Sequence, residues 1–289
     1  MNQMIRMCDN GSVPVGSAQM SYARFGTGPK TVVILPGLSD GLVTVRGKAR
    51  LLAQPYRAYF RDFTIYMFSR KEPLPEDCSI REMAADQAEA LRYLGIDRAC
   101  VLGVSEGGMI AQYLAGDHPD LVARLALAVT APYANEIVQR FVNCRIEDAQ
   151  RGDHKAIMVG SSEAAYSEKK LKSYRMLYPL LGLIGKPKDY RRFLSNANAI
   201  LCFDARDVLK QIRCSTLILG GEEDKTVGPE GSRELHAAIA GSKLHMYPGL
   251  GHAAYEEAPD FNRRVFGFFD ENKSAIMGKN WAKTPGKKD

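Results

Sequence analysis

Short apolar runs alternate with amphipathic stretches along the chain. Thr31–Leu35 is a continuous apolar run closed by Pro36-Gly37, and Phe63–Phe68 is a second, followed by a polar loop with Pro73 and Pro75. Ile80–Leu94 carries Ile80, Met83, Ala84, Ala88, Leu91 and Leu94 at helical spacing, with Ser79 placed to cap the start and Gly95 to stop the end. Ala99–Val104 is a third strand candidate, and Gly107–Ala115 reads as a helix ending before Pro119. Leu121–Val129 and Thr216–Gly220 read as strands; Pro229–Ile239 and Leu244–Tyr247 continue the alternation, and a helix over Ala258–Phe269 closes it. Near-continuous apolar strands separated by helices predict an α/β fold, a mostly parallel central β-sheet flanked by helices on both faces.

Residues 132–200 break this rhythm. They hold no convincing buried strand, but Leu177–Ile184 is too apolar for a solvated linker. The stretch is therefore read as a helical insertion between two sheet strands. The expected organisation is a core from residues 1–131 and 201–272, the insertion at 132–200 and a basic flexible tail at 273–289.

Composition adds limits. Apolar residues make up 45% of the 289 residues and charged residues 25%, a balance that suits a water-borne globular domain with a sizeable core. Most of the +6 net charge lies in the tail, where Lys273, Lys279, Lys283, Lys287 and Lys288 face only Asp289. The body has no basic stripe with interleaved aromatics, so neither a nucleic-acid nor a membrane partner is expected. No apolar run approaches the ~18 residues of a membrane span, and the first dozen residues lack the apolar segment of a signal peptide. Cys8, Cys78, Cys100, Cys144, Cys202 and Cys214 show no metal-ligand spacing; a reducing cytoplasm is the expected location and no metal site is expected.

The chemistry concentrates in Gly103-Val104-Ser105-Glu106-Gly107, where an apolar run turns through Gly-x-Ser-x-Gly into a helix. That context raises a serine hydroxyl above a sheet edge, with glycines where a side chain would collide with neighbouring backbone. A serine nucleophile needs a base, and the base an orienting acid. Of the five histidines, His252 lies in a glycine-rich loop after a strand candidate. His118, His154, His236 and His245 sit where packing or capping accounts for them. Asp224, in Gly221-Glu222-Glu223-Asp224, follows the Thr216–Gly220 run and is preferred over its two glutamate neighbours. Two backbone N–H groups complete the expected machinery as oxyanion donors: Glu106, directly after the serine, and Leu38 in the Pro36–Asp40 loop, with Ser39 as a side-chain helper.

These residues, in LPGLSDG, GVSEGGMIAQ, GGEED and GLGHAAYEEAP, resemble the α/β-hydrolase fold superfamily, in its capped serine hydrolase branch, over roughly residues 18–272. The resemblance implies a Ser105–His252–Asp224 triad, a helical cap over the pocket and no cofactor. Relatives often carry His-Gly where this chain has Pro36-Gly37, and Gln or Met where it has Glu106. A carboxylate beside the nucleophile reaches toward the cap, repels anionic substrates or acts on His252, unless only its backbone N–H matters. Tyr133, Phe141, Met158, Tyr174, Met176, Leu177 and Tyr178 are the candidate apolar lining. A small to medium carboxylic ester is the expected small-molecule substrate. The same triad serves lactones, thioesters, C–C bonds and proline-type aminopeptidase substrates; for the last, Glu136, Glu147, Asp148 and Glu163 are candidate amine anchors. Dehalogenase and epoxide hydrolase chemistry are disfavoured, since those relatives carry Asp at the elbow. A non-catalytic receptor on the same scaffold is the alternative from another class.

Overall fold

A computed structural model describes residues 7–270. The 273–289 tail lies outside the described residues. The strands are β1 (Cys8–Val15), β2 (Ala18–Phe25), β3 (Lys30–Leu35), β4 (Phe63–Glu72), β5 (Ala99–Val104), β6 (Val122–Ala128), β7 (Ser215–Gly221) and β8 (Lys243–Tyr247). They form one eight-stranded sheet in the order β1-β2-β4-β3-β5-β6-β7-β8. The β1–β2 and β2–β4 pairs are antiparallel, and every other pair is parallel.

The α-helices among the described residues are α1 (Ala49–Leu52), α2 (Ile80–Tyr93), α3 (Glu106–Asp117), α4 (Glu136–Gln150), α5 (His154–Ala165), α6 (Glu168–Tyr174), α7 (Tyr178–Leu181), α8 (Arg191–Leu201), α9 (Pro229–Ala238), α10 (Ala254–Glu257) and α11 (Phe261–Phe269). Alternate residues of each central strand feed opposite cores, as the two-residue period of a strand requires. Val33, Leu35, Val101, Leu125 and Leu127 pack with Met83 and Leu91 of α2 and Ile110 and Leu114 of α3. Val32, Ile34, Leu102, Ala126 and Leu217 pack with Phe261, Val265, Phe266 and Phe269 of α11. Burial on both faces is why these strands read as unbroken apolar runs rather than alternating ones.

Two elements differ from expectation. The β1–β2 hairpin was not foreseen, because Asp9, Asn10, Ser12, Gln19 and Ser21 interrupt its apolar positions. β1 is the sheet edge, so half of it faces solvent, and an edge also tolerates Pro14. The closing helix expected over Ala258–Phe269 starts only at Phe261. Ala258, the residue before Pro259, is extended at φ −77°, ψ 117°, which separates α10 from α11. The proline ring disfavours helical geometry in the residue before it.

Between β6 and β7 the chain runs through α4 to α8, with no strand of the sheet. The two ends of this excursion are tied together: Tyr133 and Asp204 form an antiparallel bridge, Ala134 N–H donates to Phe203 O at 2.9 Å and Ala205 N–H to Pro132 O at 2.9 Å. No described helix is long and apolar enough to cross a membrane.

The α2 start matches its sequence signature. The Ser79 N–H donates to Glu82 Oε2 at 2.7 Å and the Glu82 N–H to Ser79 Oγ at 3.2 Å, a reciprocal pair that satisfies donors the helix itself leaves open. These bonds hold the Glu82 carboxyl below its ordinary range. Ser79→Ala is expected to lower unfolding stability by about 1 kcal/mol in urea denaturation. A loss below about 0.3 kcal/mol would show that α2 does not depend on this cap.

Candidate active site

The sheet delivers its chemistry to one edge. β3, β5, β7 and β8 are parallel and in register, with Leu35 beside Gly103, and Gly221 beside Tyr247. The loops after their carboxyl ends therefore open on the same side of the sheet, where open α/β sheets hold ligands. Pro36–Gly41 follows β3, Ser105 follows β5, Asp224 follows β7 and His252 follows β8.

Ser105 has φ 55° and ψ −119°, a left-handed conformation that L-residues rarely adopt. Its neighbours hold it there. The Ser105 N–H donates to Ala128 O at 2.9 Å, and its carbonyl accepts from Gly108 N–H at 2.8 Å and Thr130 Oγ1 at 2.8 Å. Space forbids larger residues: a Cβ on Gly103 would lie 2.5 Å from Gly107 O, and one on Gly107 would collide with Leu35 O. The turn from β5 into α3 thus packs directly against the loop after β3.

Three side chains meet in line. His252 Nε2 is 2.9 Å from Ser105 Oγ, and His252 Nδ1 is 2.8 Å from Asp224 Oδ2. The other Asp224 oxygen accepts from the N–H groups of Thr226 at 2.8 Å and Val227 at 2.9 Å. Burial pushes the Asp224 carboxyl up, but the His252 contact and these two N–H bonds outweigh it, and the pKa falls below the ordinary value. An ionised Asp224 accepts from Nδ1–H. That leaves the Nε2 lone pair facing the serine hydroxyl. Glu222 and Glu223, the sequence competitors, are outside this chain of bonds; Glu222 pairs with Arg233.

The two expected oxyanion donors both open helical turns. Leu38 is the first residue of the 3-10 turn Leu38–Gly41, and Glu106 the first residue of α3. First-turn N–H groups have no partner within their own helix and are free to face a ligand. Gly37 brings the first turn against the serine, where an added Cβ would lie 3.2 Å from Ser105 Cβ. The Glu106 side chain is fully buried and does not line the cavity. It lies 3.0 Å from Arg70 Nη2, a contact that compensates its charge within the core rather than in the cavity. Burial nonetheless raises its pKa above the ordinary value, opposed first by the Arg70 charge.

A cavity of about 310 Å³ opens over Ser105 and His252. Ser39, Phe141, Met158 and Tyr174 line it. Tyr133 does not: it lines a separate cleft, its ring under the Arg206 guanidinium at 4.5 Å. Tyr178 also stays out, its hydroxyl donating to Glu163 Oε1 at 2.8 Å. Met176 and Leu177 are 81% and 46% exposed, so the apolar run around them faces outward. Sequence reading missed Leu42, Ile157, Ser161, Ser162, Ala165, Tyr166, Phe193, Thr226, Tyr255 and Glu256. Ile157, Ser161, Ser162 and Ala165 share one face of α5 at three- and four-residue spacing, a signal that small polar residues obscured.

The insertion is bonded to the histidine loop itself. The Ala253 N–H donates to Ala165 O at 2.8 Å, Tyr166 Oη to Glu256 at 2.6 Å and Ser167 Oγ to Glu257 at 2.6 Å. None of the four candidate amine anchors lines the cavity: Glu136 borders the separate cleft, Glu147 is exposed, Asp148 pairs with Arg145 and Arg151, and Glu163 pairs with Arg175. Of the other histidines, His154 is buried with Nε2 at 2.9 Å from Ile184 O, and His236 Nδ1 is 2.8 Å from Ser242 Oγ. No cluster of described residues has metal-binding composition.

The chain is 25% identical to the serine hydrolase BPHL of Mus musculus over 273 residues, covering 90% of this chain and 86% of the other. It is 27% identical to a 2-hydroxy-6-oxononadienedioate/2-hydroxy-6-oxononatrienedioate hydrolase of Pseudomonas putida, covering 86% and 91%. The fold superposes on the crystal structure of an alpha/beta hydrolase enzyme from a Medee basin deep-sea metagenome library with a TM-score of 0.77, at 20% identity and covering 90% and 97%. The family model for the alpha/beta hydrolase fold matches residues 30–259, and the chain belongs to that family.

Proposed function

We propose that the protein is a serine hydrolase that cleaves a small to medium, uncharged carboxylic ester through an acyl-enzyme. The family supports hydrolysis as the reaction class. The observation that carries the finer reading is the unbroken line from Asp224 through His252 to Ser105 Oγ at the cavity floor. His252 takes the hydroxyl proton as Ser105 Oγ bonds to the carbonyl carbon. Asp224 holds the imidazole orientation and stabilises the imidazolium. The N–H groups of Leu38 and Glu106 stabilise the oxyanion. The imidazolium then protonates the departing alkoxide; a water, deprotonated by the same imidazole, adds to the acyl carbon, and the C–O bond to Ser105 breaks as His252 returns the proton to Ser105 Oγ and the acid leaves. In this reading the 132–200 insertion acts as a cap that encloses the substrate.

Cavity chemistry supports an uncharged substrate. Phe141, Ile157, Met158, Phe193 and tyrosine rings dominate the wall, Glu256 borders it, and no Lys or Arg lines it among the described residues. A substrate with a distal carboxylate would be desolvated there without a partner and would face Glu256, two unfavourable terms. That separates this reading from cleavage of dioates of the kind named for the Pseudomonas putida relative. The aminopeptidase reading loses its four cap carboxylates, none of which reaches the cavity.

Ser105→Ala is expected to lower kcat on p-nitrophenyl butyrate by about 10⁶-fold, and Asp224→Asn by about 10⁴-fold, in steady-state assays of folded protein. Wild-type turnover by Ser105→Ala would remove the nucleophile assignment. Wild-type kcat/KM should be at least about tenfold higher for p-nitrophenyl butyrate than for mono-p-nitrophenyl succinate, since the second adds an unpaired anion. Equal values would show that charge in the acyl chain is accommodated.

A further inference from the structure

Beneath the two oxyanion donors lies a group of four charged side chains that the reaction itself does not use. Glu106 and Asp40 are 0% and 2% exposed, and Arg70 is 5% exposed. The Arg192 side chain is 15% exposed and comes from α8, within the helical insertion. Two carboxylates and two guanidiniums compensate one another. Such an arrangement is costly to bury, and well-packed apolar residues generally stabilise a fold as well or better. Its information is therefore in its geometry.

Arg70, on β4, reaches both donor segments. Its Nη2 donates to Pro36 O at 2.7 Å, two residues before Leu38, and lies 3.0 Å from Glu106 Oε2, on the residue that carries the other donor. Its own N–H donates to Asp40 Oδ2 at 3.0 Å, inside the Leu38–Gly41 turn. Arg192 closes the same turn from the insertion. Its Nη2 donates to Asp40 Oδ2 at 2.6 Å and its Nε to Asp40 O at 3.2 Å; Nη1 and Nη2 also reach Lys71 O at 2.8 Å and Arg70 O at 3.1 Å. Two planar guanidiniums thus fix the turn after β3, the end of β4 and the first residue of α3 relative to one another. A guanidinium holds several acceptors in a rigid fork, which an ammonium on a flexible stem does not.

We propose that Arg70 and Arg192 are positioning residues for the oxyanion hole: Arg70 sets the separation of the Leu38 and Glu106 N–H groups, and Arg192 makes the Leu38 turn depend on the seating of the insertion. This inference rests on the serine hydrolase reading. Oxyanion stabilisation depends on donors held in place before charge develops, so loosening the hole acts on the transition state more than on ground-state binding.

The test compares wild type, Arg70→Lys, Arg192→Gln and Ser105→Ala on p-nitrophenyl butyrate. Inhibition is measured with a trifluoromethyl ketone bearing a propyl chain, whose serine adduct places an oxyanion in the hole, and with butyrate as a ground-state ligand. Arg70→Lys should lower kcat by about 10- to 100-fold and Arg192→Gln by about tenfold, with KM and butyrate affinity within about twofold of wild type. Ketone affinity should fall in step with kcat. Unchanged kcat in both variants, or a fall in kcat without loss of ketone affinity, overturns the proposal. Should Arg70→Lys fail to give a cooperative thermal transition, Arg192→Gln, which leaves the Arg70 contacts to Pro36, Glu106 and Asp40 in place, decides alone. Wild-type turnover by Ser105→Ala would defeat the hydrolase reading itself. An inactive Ser105→Ala beside wild-type-like arginine variants would defeat only the positioning role.

Discussion

The site depends on one backbone conformation, Ser105 at φ 55° and ψ −119°. A residue with a Cβ occupies that region only when its surroundings determine it. Here they do: β5 is buried on both faces, the Ser105 N–H is bonded to the end of β6, and α3 begins at the next residue. The strained turn points the hydroxyl out of the sheet edge toward His252 and leaves the Glu106 N–H at the front of a helix. A relaxed turn would send the side chain elsewhere, and the hydrogen-bonded line would not form. Gly103 and Gly107 serve this conformation, because the backbones they adjoin approach too closely for a Cβ.

Charge compensation follows from the same crowding. With the elbow pressed against the loop after β3, the Glu106 side chain is fully buried against Arg70. A carboxylate there is stripped of water, and its raised pKa records the cost. Arg70 and, further along, Arg192 answer that charge and the like charge of Asp40 beside it, tying elbow, turn and insertion together. Asp224 meets burial differently. Its bonds to His252 and to two N–H groups overcome desolvation, so it stays ionised beside the histidine. Two buried carboxylates of one molecule thus shift in opposite directions because their hydrogen-bond partners differ.

The apolar patterning and the chemical motifs were legible because they are local. Burial on two faces makes Val101, Leu102 and their neighbours apolar without interruption, and the N-cap at Ser79 is read from its place directly before the helical apolar pattern. The β1–β2 hairpin was not legible, since an edge strand is half solvated and its polar positions mimic a loop. The contacts of the insertion were half legible. Phe141, Met158 and Tyr174 reach the cavity while Tyr133, Met176, Leu177 and Tyr178 do not, because aromatic and apolar character does not reveal which way a side chain is turned in the fold.

The chain's own order of residues determined the alternation of strands and helices, the elbow at Ser105 and the candidates at Asp224 and His252, since each is a matter of neighbours along the backbone. Only the tertiary structure decided that these three side chains lie within hydrogen-bond reach, that Glu106 turns inward to Arg70, and that Arg192 of the insertion grips Asp40. Residues separated by more than a hundred positions meet through sheet register and helix packing, and those depend on the whole core at once rather than on any segment read alone.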